Sequence, residues 1–244
     1  MGCSVNYSMI TNTGGRMVNE DSIGVCDCAG HKAFVLCDGL GGHGMGDVAS
    51  SLVKDVFINI FENAENIPET LSTAFRAAQD VLMAEQKRLN VRGKMKTTAV
   101  ALAVDEKKAY VGFVGDSRLY IFNNNKLVKR TLDHSVPQML VESKEISESE
   151  IRNHPDRNRL LKVMGVDWNE PMYDIWKPIP LKKCQAFLLC SDGFWELIDE
   201  SKMCEMLEKA ADVKEWLLMM NDEVQKNGIG KNMDNNSAIA VWCC

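Results

Sequence analysis

The sequence predicts an α+β fold in which packed sheets are flanked by helices. Short runs at 33–37 (AFVLC), 98–104 (TAVALAV) and 186–190 (AFLLC) are almost continuously apolar, the pattern of strands buried on both faces or in a sandwich core. Two long amphipathic segments separate the early strands from the middle ones, and a second helical pair precedes the last strand, so strands and helices do not strictly alternate. No repeat, low-complexity tract or Pro/Gly/Ser-rich linker interrupts the chain, which reads as one domain over residues 1–244.

In chain order, the 33–37 strand is followed by a helix over 47–63, where Val48, Leu52, Val56 and Ile60 recur at four-residue spacing with Val53 and Phe57 beside them. Pro68 and Glu69 open a second helix whose apolar stripe is Leu71, Phe75, Ala78 and Leu82. Strands follow at 98–104, 110–114 and 119–122. Asn123, Asn124 and Asn125 then turn the chain into 127–129, because Asn tolerates positive φ. The polar stretch 142–159 carries Ser147 and Glu150 at capping-box spacing and reads as a short helix in a surface insertion. After the 186–190 strand come helices at 202–210 and 213–226, with Gly228 as the stop, and a last strand at 238–242.

With 244 residues, 45% of them hydrophobic, the chain suffices for one large domain of roughly 200–250 residues. A net charge of -6 argues against a nucleic-acid partner, which calls for a basic surface. No apolar run approaches the roughly 18 residues of a membrane span, and the start lacks the design of a secretory signal. MGCSVN has the form of a myristoylation start, but Asn6 stands where Ser or Thr is needed. The expectation is a cytoplasmic protein without membrane attachment. Nine cysteines include no CxxC pair, and Cys37 and Cys190 lie inside apolar runs, so reduced thiols are expected rather than a disulfide framework.

The acidic residues carry the chemistry. Asp38, Asp116 and Asp192 each follow an apolar strand and meet a Gly- or Ser-containing turn; Asp234 precedes Asn235, Asn236 and the final strand; Glu20 and Asp21 precede 23–25. Any one of them alone reads as a turn residue or helix cap. Five glycines within 39–46 exceed the needs of a turn and suggest a backbone that approaches a bound ion or phosphate closely. An all-oxygen donor set suits Mg²⁺ or Mn²⁺. Two such ions, roughly 3.5–4 Å apart, can share a carboxylate and activate a water for in-line attack on phosphorus. Zinc would call for His and Cys at short spacing, and none of the four histidines is paired in that way.

These residues lie in stretches that resemble the protein phosphatase 2C-type (PPM) metal-dependent serine/threonine phosphatases, in their compact bacterial form. The stretches are GGRMVNEDSIGV (14–25), FVLCDGLGGHGMGDVAS (34–50), KTTAVALAV (96–104), VGFVGDSRLYIF (111–122), LDHS (132–135), FLLCSDGFWELI (187–198) and DNNSAIAVW (234–242), in family order along almost the whole chain. The resemblance implies a four-layer α-β-β-α sandwich, two antiparallel sheets flanked by helix pairs, with the metals at one end. It implies that Asp38 bridges two Mn²⁺ or Mg²⁺ ions with the Gly39 carbonyl as a further ligand, that Asp192 and Asp234 complete the first ion, and that Glu20 serves the second through waters. Asp21 would orient the nucleophile or bound waters, Arg16 would clamp the substrate phosphate, and Asp116 with Glu196 would hold a weaker third cation. The implied activity is hydrolysis of phosphoserine and phosphothreonine by a water bridging the two cations. Phosphorylated proteins are the implied substrates, a Ser/Thr kinase the counterpart and a monomer the state, with a flap at about 142–167 beside the site.

Two positions depart from the family pattern. Leu40 stands where eukaryotic members carry a His, a candidate acid for the leaving alkoxide; His43 is left as either the proton donor or a cap of the Gly loop. Glu196 replaces the Asp that commonly helps hold the third metal. His134 and His154 read as structural or solvated, Arg118 as a brace of the GDSR turn, and Met219 and Met220 as core. Two other readings compete. A catalytically silent binding module would be favoured by loss of a metal carboxylate, and all remain. A phosphoesterase acting on nucleotides or small phosphates finds no P-loop or basic stripe to support it.

Overall fold

Alternate side chains of the central strands face two different cores. The computed structural model describes residues 4–41, 44–182 and 185–243. One sheet contains β1 (Val5–Asn12), β6 (Arg118–Asn123), β7 (Lys126–Arg130), β10 (Gln185–Cys190) and β11 (Asn236–Cys243), in the order β1-β11-β10-β6-β7. The other contains β2 (Asp21–Cys28), β3 (His31–Asp38), β4 (Ala99–Asp105), β5 (Lys108–Val114) and β8 (Asp174–Ile175), in the order β2-β3-β4-β5-β8, with β9 (Ile179–Pro180) also on β5. Neighbouring strands pair antiparallel throughout.

Phe34, Leu36, Val100, Leu102, Phe187, Leu189, Ile239 and Val241 fill the space between the sheets. Their neighbours along the chain point outward to helices. Val35, Cys37, Ala99, Ala101 and Ala103 meet α1 (Gly46–Glu62) and α2 (Ile67–Leu89), whereas Ala186, Leu188 and Cys190 meet α5 (Glu200–Lys209) and α6 (Val213–Gly228). Three apolar layers separate four structural layers, the predicted α-β-β-α sandwich, and the near-continuous apolar runs follow from burial on both faces.

The α2 stripe Leu71, Phe75, Ala78 and Leu82 is fully buried as expected. In α1 the buried face is Ala49, Val53, Phe57 and Phe61, one residue on from the predicted stripe; Val48 is exposed, and Leu52, Val56 and Ile60 are half-buried. Both rows are apolar, and the small Ala49 allows the closer approach. Asn124 and Asn125 adopt positive φ in the β6–β7 turn. Ser147 donates its N–H to Glu150 Oε2 (2.8 Å), but the helix it caps, Glu148–Asn153, is 3₁₀ rather than α. Two short helices, α3 (Val136–Glu142) and α4 (Asp192–Trp195), complete the set. No described helix is long and apolar enough to cross a membrane.

Candidate active site

Strand ends bring the acidic residues to one end of the sandwich. Asp21, the first residue of β2, stands opposite Asp38, the last residue of β3. The Asp38 backbone is fixed from both sides: its N–H donates to Thr98 Oγ1 (3.0 Å), and its carbonyl accepts from Thr98 N–H (2.8 Å) and Thr97 Oγ1 (2.9 Å). Gly39 N–H donates to the Glu20 carbonyl (3.0 Å). A Cβ on Gly39 would lie 2.2 Å from the Gly46 carbonyl oxygen, and one on Gly41 would lie 1.8 Å from Glu20 Oε2. The glycines of this loop thus let the backbone fold around the Glu20 carboxylate at the start of α1; burial, Asp47 and Asp234 hold that carboxyl above its ordinary range, partly offset by the Gly46 N–H.

The other sheet supplies Asp192 and Asp234. Asp192 opens α4 after β10, and Asp234 precedes β11, the strand paired with β10. Gly193 allows close packing, since a Cβ there would stand 2.1 Å from the Asn235 carbonyl oxygen. Ser191 links the sheets: its Oγ donates to Asp21 Oδ2 (2.8 Å) and accepts from the Ser237 N–H (3.0 Å). Asn235 accepts from the Glu20 N–H (2.8 Å) and donates to the carbonyls of Thr13 (2.8 Å) and Val18 (3.0 Å), holding the loop that carries Arg16. Arg16 is exposed and pairs with Asp234 (2.7 Å).

Asp116 lies in the turn after β5. Its carbonyl accepts from Trp195 Nε1 (3.1 Å), and the neighbouring Ser117 hydroxyl meets Thr98 Oγ1 (2.7 Å). Arg118 braces this turn as expected, with two buried bonds to Asp133 (2.8 and 2.7 Å) and its guanidinium 3.4 Å from the centre of the Trp195 ring. His134 is structural: Nδ1 accepts from the Gly115 N–H (3.2 Å), and Nε2 faces Asp174 (2.8 Å). Glu196 pairs with Arg157 (3.0 Å), which lies in the segment that follows α3. His43 lies outside the described residues.

The electrostatics are those of anions short of cations. Burial, reinforced by Asp192, Asp21 and Asp116, pushes the Asp38 carboxyl well above its ordinary range. Asp116 is raised by burial and by Asp192, and Asp192 by burial and Asp234. Burial pushes Asp21 up to about 7 despite the bond from Ser191, and burial with Asp192 takes Glu196 to about 7. Asp21 Oδ1 is buried without a hydrogen-bond partner. An all-oxygen set of mutually repelling carboxylates, one with an orphaned oxygen, fits hard divalent cations.

Arg157, Asn235 and Ser191 were not singled out in the sequence. Asn235 and Ser191 lie inside recognisable motifs, but Arg157 sits in a polar segment with no local signal of its contact.

A two-sheet sandwich with an oxygen-only carboxylate centre at one end belongs to a class of proteins built for hard cations. The family model for protein phosphatase 2C matches residues 13–234, and the chain belongs to that family. It is 32% identical over 209 residues to the serine/threonine phosphatase stp of Listeria welshimeri, covering 82% of this chain and 81% of the relative. The crystal structure of the serine/threonine phosphatase Stp1 from Staphylococcus aureus superimposes with a TM-score of 0.87 at 28% identity, covering 100% of this chain and 96% of the other. The catalytic domain of the phosphatase PstP, solved in complex with two manganese ions, shares the fold with a TM-score of 0.82 at 24% identity and 98% coverage of each chain.

Proposed function

We propose that the protein is a metal-dependent phosphatase of phosphoserine and phosphothreonine in proteins. The observation that carries this reading is the gathering of Asp21, Asp38, Asp192 and Asp234 from both sheets at one end of the sandwich, where burial and neighbouring carboxylates hold the Asp21, Asp38 and Asp192 carboxyls above their ordinary range. Family membership and the named phosphatases among its relatives support the substrate class. The PstP domain holds two manganese ions, in keeping with a two-ion centre here.

Asp38, the Gly39 carbonyl, Asp192, Asp234 and Glu20 would hold two Mn²⁺ or Mg²⁺ ions, and Asp116 with Glu196 a weaker third. When bound, the ions would supply Lewis acidity and an activated water near neutral pH. Asp21, anchored by Ser191, would orient the attacking water. Arg16, exposed at the rim on a loop pinned by Asn235, would take the substrate phosphate with its planar guanidinium. Leu40 offers no proton to the leaving alkoxide.

The 142–167 insertion is read as a flap that shapes substrate choice, supported by the reach of Arg157 to Glu196. We further read the chain as one catalytic domain, acting as a cytoplasmic monomer opposite a Ser/Thr kinase. The test is hydrolysis of an aryl phosphate and a phosphothreonine peptide with Mn²⁺, Mg²⁺ or chelator. Activity that requires the metal and is lost in Asp38→Asn supports the reading; activity surviving chelation sinks it. A parent protein inactive in Mn²⁺ would instead indicate a silent binding module.

A further inference from the structure

At the opposite end of β2 from the carboxylates, the hairpin joining β2 to β3 carries a second group of ligating side chains. Cys26 and Cys28 project from the same face of β2, with their sulfurs 3.1 Å apart. Cys28, the last residue of β2, is the register partner of His31, the first of β3. The two Sγ atoms and a ring nitrogen of His31 all lie within 4.8 Å of one another. At about 3.3 Å per residue, the eight-residue strand places Cys28 roughly 23 Å from Asp21, so this group is separate from the proposed active site.

We propose that Cys26, Cys28 and His31 form a sulfur-rich cation site that takes zinc. The donors are of the right kind, since two thiolates and an imidazole select a borderline-soft ion rather than the hard ions suited to carboxylates. The spacing is near what is needed: with bonds of about 2.3 Å to sulfur and 2.0–2.1 Å to nitrogen, tetrahedral ligands stand roughly 3.5–3.8 Å apart. A small opening of the sulfur pair and a small closing toward His31 reach that geometry.

The surroundings are also arranged for a cation. His31 Nε2 is 2.9 Å from the Phe61 carbonyl, which can only accept, so Nε2 carries the hydrogen and Nδ1 the lone pair. A backbone carbonyl on one ring nitrogen is the usual support of a ligating histidine. Phe61 belongs to the last turn of α1, the negative end of that helix, which has no basic residue of its own. Burial, the neighbouring thiol and the Glu62 and Asp27 carboxylates all oppose an isolated Cys26 thiolate, and a bound cation reverses that penalty. Binding would form two Zn–S bonds and one Zn–N bond, release the two thiol protons to solvent, displace water from the hydrated ion and keep one water as the fourth ligand. Two cysteines used only as small core hydrophobes would have no need of a carbonyl-oriented histidine beside them.

The test uses the whole protein, stripped with chelator and then given excess Mg²⁺ to engage the carboxylates. Co²⁺, as a zinc probe, is then titrated in. The expected result is a thiolate-to-cobalt charge-transfer band that saturates at one equivalent and bleaches when Zn²⁺ is added. The Cys26→Ser, Cys28→Ser double variant should lose the band and Asp38→Asn should keep it, whereas His31→Gln should weaken cobalt binding about tenfold or more. Circular dichroism checks the fold, and the partly exposed His31 provides a variant less dependent on core packing. A band that is absent, or that persists in the double cysteine variant, overturns the site. So does conversion of the pair to a disulfide under mild oxidant with no cobalt band beforehand. The readout is independent of phosphatase activity, so failure here leaves the proposed function standing.

Discussion

Asp21 and Asp38 are register partners across β2 and β3, two carboxylates placed directly opposite each other at the same end of a sheet. Like charges so placed are destabilising, and here Asp21 is buried and Asp38 half-buried, with Asp192 adding to the repulsion. The arrangement is unfavourable for the protein alone, and the cations proposed to bind there would offset the repulsion.

Asp38→Asn should therefore act in opposite directions on stability and activity. In chelator the variant should melt above the parent, because one repelling carboxylate is gone. With Mn²⁺ it should gain less thermal stability than the parent and lose activity by about a hundredfold or more. Melting curves with and without Mn²⁺, paired with peptide assays, check both.

The raised carboxyls predict an inverse pH slope. Asp21 and Glu196 hold their protons up to about 7 when folded, whereas their ordinary values are 3.8 and 4.5. Between those limits the folded chain binds more protons than the unfolded one, so stability in chelator should fall as pH rises from about 4 to about 7. Urea midpoints at pH 5 and pH 8 test this; a higher midpoint at pH 8 contradicts it. Saturating Mn²⁺ should flatten or reverse the slope.

Gly41→Ala should weaken metal binding without unfolding the protein. The added Cβ would occupy the place of Glu20 Oε2, and the carboxylate must swing away. The expected loss is about tenfold in Mn²⁺ affinity by calorimetry, with a small change in melting temperature.

Arg16→Ala separates substrate binding from folding. Arg16 and Asp234 are both well exposed, so their pair should contribute no more than about 1 kcal/mol to stability. The KM for a phosphopeptide should rise about tenfold or more, in line with the loss of a charge-assisted bond to phosphate.

Asp133→Ala is the structural counterpart. Arg118 and Asp133 are almost fully buried, and removing the carboxylate strands a guanidinium against Trp195. A loss of about 3–5 kcal/mol in urea unfolding is expected, with the Asp116 turn loosened as a consequence.

Strands buried on both faces were readable because they leave apolar runs such as AFLLC, with no polar alternation to confuse them. The edge strand β1 escaped because its sequence, VNYSMITN, mixes Asn and Ser into a surface only half-covered. Likewise α1 offers two adjacent apolar rows, and only packing against β2 and β3 decides which is inside. Among the site residues, the carboxylates announced themselves by their strand-end positions. The contact of Arg157 with Glu196 depends on how the segment after α3 folds back, which no local pattern encodes. The Cys26, Cys28 and His31 group stands within six residues of sequence, so His31 does lie at short spacing from two cysteines, contrary to the sequence expectation; no CxxC pair marks it, and only the β2–β3 hairpin shows the three side chains meeting.

The pairing of β1 with β11 has a temporal consequence. Asn12 and Asn236 hydrogen-bond across 224 positions of sequence, and Asn235 pins the loop that carries Arg16. During synthesis, a nascent chain that has not yet reached residue 234 can hold neither loop nor carboxylate centre in place. A chain truncated before Asp234 should therefore show no metal-dependent hydrolysis, the activity emerging only once the closing strand has been made.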